Sequence, residues 1–173
     1  MSSDAAQEIY PGLWLGDLTA AHNLEFLQRN QITCIINCSV KLPFAQTGKG
    51  CHQYRIPVRD NLRLDQIYLM YQVLDKAVAV IVKHLGVDNI LVHCHAGRQR
   101  SVSVILAFLI KCGQMDLKEA LACVQSKRAV AGQPKLNFYQ ALEQYQHDCR
   151  NVGRKQAKQS ITKQAHRPVF RSS

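Results

Sequence analysis

The spacing of apolar residues along the chain switches between short, dense runs and longer stretches of helical period. Residues 32–38, Ile-Thr-Cys-Ile-Ile-Asn-Cys, are apolar and β-branched and predict a buried strand. Residues 52–58 alternate enough for a second central strand, and Ile90-Leu91-Val92 within 89–93 mark a third. Over 65–85, Ile67, Met70, Tyr71, Leu74, Val78, Ile81, Val82 and Leu85 recur at helical spacing, and Gly86 supplies a stop. Further helices are predicted over 102–111, closed by Gly113, over 117–128 behind an N-cap at Asp116, and from Pro134 onward, with Phe138, Leu142 and Tyr145 on one face. Near the start, Pro11-Gly12 followed by Leu13-Trp14-Leu15 predicts a strand or hairpin over 9–16. Asp17 or Thr19 then caps a helix to about residue 30, with Leu24 and Leu27 facing inward. Residues 39–50, rich in Lys, Pro and Gly, read as a loop.

Strands alternating with helices predict an α/β fold: a central, mostly parallel, twisted sheet flanked by helices. Ligands of such sheets bind beyond the carboxyl ends of the strands, and both Asp60 and Cys94 fall at such ends. With 173 residues, 47% of them hydrophobic, the chain supports one core. The expected organisation is a flexible N-terminus over 1–8, a domain over 9–149 and a basic, disordered tail over 150–173.

Charge and cysteine usage narrow the setting. The formal net charge is +10, and no acidic residue follows Asp148, whereas Arg150, Arg154, Lys155, Lys158, Lys163, Arg167 and Arg171 do. Such a balance favours acidic partners: phosphoproteins, RNA or anionic lipid. No apolar run is long enough to span a bilayer, and residues 1–8 lack the pattern of a secretory signal, so a cytoplasmic or nuclear location is expected. The seven cysteines show neither a disulfide framework nor paired zinc spacing, so free thiols and no bound metal are expected. Cys34 and Cys38 fall on one strand face and suit core packing.

One stretch carries chemistry. Residues 93–101 read His-Cys-His-Ala-Gly-Arg-Gln-Arg-Ser between an apolar strand and an apolar helix. Successive N–H groups of a tight loop opening a helix, aided by the helix dipole, bind a dianion, which makes His95, Ala96, Gly97, Arg98, Gln99 and Arg100 the candidate substrate-binding positions. Gly97 lets the loop turn, and the planar fork of Arg100 can hold two phosphate oxygens. The same positive field favours a thiolate at Cys94, since cysteines so placed have pKa values of roughly 3.5 to 7.5. Asp60, after the neighbouring strand, is placed as general acid, with Asp65 a nearby competitor. Ser101 can donate a hydrogen bond to the sulfur, and His93 fits best as a buried support of the loop.

The string His93-Cys94-x-x-Gly97-x-x-Arg100-Ser101 resembles the catalytic loop of the cysteine-based protein tyrosine phosphatases. Residues 54–60, Tyr-Arg-Ile-Pro-Val-Arg-Asp, are similar to the strand and acid loop of the dual-specificity branch, in its small atypical subclass. Residues 11–16 and 133–142 are similar to that branch as well, and together the matches cover about 9–146. The resemblance implies a phosphatase of phosphotyrosine and phosphoserine or phosphothreonine proteins, acting through a phosphocysteine without metal or cofactor. Three positions depart from the usual pattern: Arg98 and Gln99 in the loop, and Lys135 after the proline. Relatives with basic loops act on phosphoinositides or RNA 5′ phosphates, so those substrates are the alternatives, and a phosphate-binding pseudophosphatase is a lower one.

Overall fold

The computed structural model describes the backbone of residues 5–165 and the side chains of 5–152. Five strands, β1 (Ala6–Tyr10), β2 (Leu13–Gly16), β3 (Ile32–Asn37), β4 (His52–Arg55) and β5 (Asn89–His93), form one sheet in the order β1-β2-β5-β3-β4. β1 runs antiparallel to β2, and the other pairings are parallel, so the mostly parallel sheet expected from the alternation of elements is present. β5, which precedes the candidate loop, lies in the middle and is paired on both sides.

Strand alternation sorts the side chains between two layers. Cys34, Ile36, Ile90, Val92 and Cys94 face the larger core, against α3 (Leu64–His84), α4 (Arg100–Lys111), α5 (Leu117–Lys127) and α6 (Tyr139–Ala165). Ile35 and Leu91 face the smaller one with Leu27, Trp14 and Phe26, beneath α1 (Leu18–His22) and α2 (Leu24–Arg29). α4 is the central helix: every side chain from Ser101 to Ile110 is buried, which holds its first turn firmly under the loop that precedes it.

Several expectations are refined. The helix predicted over 17–30 is two helices, because Asn23 takes an extended conformation that ends α1 while its side chain accepts from the N–H of Phe26 to cap α2. The strand predicted as central over 52–58 stands at the sheet edge and ends at Arg55; Ile56 N–H still donates to Asn37 O at 3.0 Å, and a tight turn follows in which Val58 N–H donates to Ile56 O at 2.9 Å. Pro134 does not open the last helix: the Gln133–Pro134 peptide is cis, a turn follows, and α6 begins at Tyr139. The hairpin starts at Ala6, so part of the N-terminal segment read as flexible is β1, while residues 1–4 lie outside the described residues. α6 continues through Ala165 into the stretch read as a disordered tail. Lys, Gln, Ala and Arg there are good helix formers, and Gly153 is a single weak point. Residues 166–173 lie outside the described residues. No helix among the described residues is long and apolar enough to cross a membrane.

Candidate active site

β5 delivers Cys94 to the carboxyl edge of the sheet, and the chain turns through 94–99 before α4 begins. Cys94 is buried, at 2% exposure. Burial alone raises a thiol pKa, yet that of Cys94 is lowered overall. The hydroxyl and backbone N–H of Ser101, the Arg100 charge and the N–H of Arg98 outweigh the burial. The Ser101 hydroxyl donates to Sγ at 3.2 Å. The Arg100 side chain is only 15% exposed, and its buried Nε has no hydrogen-bond acceptor among the described residues.

The loop is held open by contacts to its carbonyl oxygens. Gly97 sits at φ +60, and a Cβ there would meet Gly16 O at 2.6 Å and Arg128 Nη2 at 2.7 Å, so the position admits only glycine. Arg128, buried just past α5, donates from Nε to Gly97 O at 2.9 Å and from Nη2 to Ala96 O at 3.2 Å, with Nη1 to Gln7 Oε1 at 2.5 Å. With their carbonyls engaged behind the loop, the peptide units can turn N–H groups toward the front.

Asp60 enters from the loop after β4. Its Oδ1 accepts from Asn137 Nδ2 at 2.7 Å, and its Oδ2 lies 3.9 Å from Arg100 Nε. Asn137 is itself fixed to the cysteine loop, since its N–H donates to Gln99 Oε1 at 2.9 Å. Gln99 Nε2 donates to the carbonyls of Gln133 and Lys135 at 3.1 and 2.9 Å. The acid loop, the segment around Pro134 and the cysteine loop therefore form one hydrogen-bonded unit.

Asp60, Cys94, His95, Ala96, Arg98, Gln99 and Arg100 all line one cleft of about 400 Å³, closed on one side by Gln133, Pro134 and Asn137. Asp65 does not reach it; that carboxylate is exposed in the first turn of α3, paired with Arg63 at 2.9 Å. The Gln99 side chain, assigned to substrate on sequence, is turned into the Pro134 segment instead and acts as a brace. Arg98 remains exposed, with one donor on Gln133 O at 3.1 Å. A second hollow of about 440 Å³ shares Asp60, His95 and Arg100 and carries Lys41 and Arg59. Three supports went unseen in the sequence: Arg128, Asn137 and the Gln99 amide. Each acts across 31 residues of chain or more, and nothing local marks them.

The geometry corresponds to a known family. Residues 13–148 match the dual specificity phosphatase catalytic domain. The chain belongs to the dual-specificity phosphatase family. Human dual specificity protein phosphatase 2 is 34% identical over 142 residues, 80% of this chain and 43% of that protein. Mouse dual specificity protein phosphatase 14 is 32% identical over 139 residues, 80% of this chain and 68% of the relative. The chain spans less than half the length of several relatives it matches. Among solved structures, that of DUSP15 superposes with a TM-score of 0.76 at 25% identity, covering 90% of this chain and 97% of that one. Human DUSP28 gives 0.70 at 28%, covering 84% and 95%.

His93 lies under the loop, with Nδ1 facing the Cys94 carbonyl at 3.4 Å, a long contact. Burial pushes its imidazole down to about 4, against the pull of that carbonyl. Because the folded value lies below the ordinary 6.5, the unfolded chain binds the proton first, and stability falls as pH drops from about 6.5 toward 4. Denaturant unfolding is expected to lose about 2 kcal/mol between pH 7 and 5 from this group. His93→Asn is expected to flatten that part of the profile, and an unchanged slope would remove the buried-imidazole account.

Proposed function

We propose that the protein hydrolyses phosphate monoesters on phosphotyrosine and phosphoserine or phosphothreonine proteins through a phosphocysteine on Cys94. One observation carries the reading. A buried cysteine with a lowered pKa shares a cleft with a guanidinium whose buried Nε has no hydrogen-bond acceptor among the described residues and with a carboxylate held by Asn137.

In the first step the Cys94 thiolate attacks phosphorus and the ester P–O bond breaks, while Asp60 passes its proton to the departing oxygen. Arg100 and the N–H groups of 95–100 carry the charge on the equatorial oxygens. In the second, water attacks phosphorus, the Asp60 carboxylate takes its proton and the S–P bond breaks. Ser101 then stabilises the leaving thiolate through its hydrogen bond. The sum is one monoester and one water converted to alcohol or phenol and inorganic phosphate. Asn137 aims the Asp60 carboxyl across the cleft, and Gln99 ties that aim to the loop holding the nucleophile.

The cleft is shallow, because only a loop, residues 39–50, lies between β3 and β4 where a deep wall would need an insertion. A shallow floor admits both the long phosphotyrosine and the shorter phosphothreonine side chain. The test is phosphate release from a phosphotyrosine peptide, a phosphothreonine peptide, a phosphoinositide and a 5′-triphosphorylated RNA. Release is expected from both peptides at rates above the other two. A ranking led by RNA or lipid would keep the chemistry and move the substrate to those alternatives, and no release from any would favour a binding-only protein.

A further inference from the structure

At the far edge of the sheet stands a second constellation that phosphate chemistry does not use. His52 is exposed on the edge strand β4, His84 is the buried last residue of α3, and Asp88 follows in the turn before β5. One ligating atom from each lies within 4.8 Å of the other two. His84 Nδ1 lies 2.5 Å from Asp88 Oδ2, and His84 Nε2 lies 2.8 Å from the Tyr54 hydroxyl. Asp88 Oδ1 accepts from the Thr33 hydroxyl at 2.6 Å.

Those outer contacts are the ones a ligating set requires. A metal-bound imidazole donates its remaining N–H to an oxygen, which Tyr54 provides, and a ligating carboxylate is oriented through its other oxygen, which Thr33 does. A purely structural account satisfies His84 and Asp88 mutually but leaves no role for His52, whose ring centroid lies 4.7 Å from that of His84. We propose that His52, His84 and Asp88 bind a divalent transition-metal ion of the zinc class. Two imidazoles and one carboxylate suit zinc rather than calcium or magnesium, which prefer all-oxygen sets. Tetrahedral bonds of about 2.0–2.1 Å put ligand atoms roughly 3.4 Å apart. The cluster reaches that spacing if the exposed His52 ring swings inward while the ion separates His84 from Asp88. Cys34, fully buried in the main core, is not among the atoms gathered within 4.8 Å and stands outside the ligand set. Bound there, the ion would fasten β4, and with it the strand leading to the acid loop, to the end of α3.

The test is titration of the metal-free full chain with Co²⁺, read by absorption, and with Zn²⁺, read by calorimetry and thermal unfolding. Wild type, His52→Ala and Cys94→Ser are compared. Wild type and Cys94→Ser are expected to share a site that His52→Ala weakens at least about tenfold. Its cobalt spectrum should show visible ligand-field bands without the near-ultraviolet band of a thiolate ligand. Zn²⁺ should raise the unfolding temperature less in His52→Ala than in wild type. His52 is exposed, so the variant is expected to fold; should it not, His52→Gln, which lacks the imidazole, takes its place. Equal affinity in wild type and the His52 variant, or a thiolate band on this site, would overturn the proposal.

Discussion

Cys94→Ser is expected to lower phosphate release from a phosphotyrosine peptide by on the order of 10⁴-fold or more, to the assay background. The site stabilises an anion on sulfur: the Ser101 hydroxyl, two backbone N–H groups and the Arg100 charge all favour the thiolate over the thiol. A serine hydroxyl in the same place stays protonated at any pH the fold tolerates, so these groups have no charge to act on and the nucleophile is lost. The change removes little volume and leaves Arg100 and the loop N–H groups in place. Binding of inorganic phosphate or vanadate, followed by calorimetry, should therefore persist within a few-fold. Alkylation of wild type by iodoacetamide should reach half its limiting rate below the pH needed for an ordinary thiol, with phosphate protecting. Retention of more than about a hundredth of the wild-type rate in Cys94→Ser would mean that another group attacks phosphorus.

Asp60→Asn should cost about 10²- to 10⁴-fold on phosphothreonine peptides, whose alkoxide leaving group needs a proton, and clearly less on a nitrophenyl phosphate, whose phenolate leaves unaided. The amide oxygen of the new side chain can still accept from Asn137, so the loop keeps its shape and the difference reports on the proton. Asp65→Asn should stay within about twofold of wild type on both substrates, because that carboxylate is exposed on α3 and turned to Arg63. An equal loss on both substrates for Asp60→Asn would assign the residue a purely positioning role. A large loss in Asp65→Asn would move the acid there.

The sheet and the residues that line the candidate site were readable in the sequence because each leaves a local trace. β3 and β5 are dense apolar runs, α3 and α4 carry helical spacing, and the residues from His93 to Ser101 are adjacent in the chain. The misreadings have local causes. Apolar spacing runs on through 17–30, but Asn23, a good cap, restarts the helix mid-way. Pro134 resembles a first-turn proline, yet the carbonyls beside it are committed to Gln99, so the chain stays out of helix until Tyr139. The framework around the catalytic loop was not readable, since Arg128, Asn137 and Gln99 meet their partners only after α4, α5 and the sheet have packed. The edge cluster of His52, His84 and Asp88 was missed for the same reason: its members are ordinary residues on three separate elements.

Arg128 gives the site an unexpected dependence on the start of the chain. Its guanidinium reaches the catalytic loop with one edge and Gln7 on β1 with another, so the nucleophile's cradle and the outermost strand share a single rivet. The family match begins at residue 13, beyond that strand. A boundary drawn by likeness would thus cut inside the packed unit, taking away an anchor of the cysteine loop while leaving Asp60 and the whole of that loop in place.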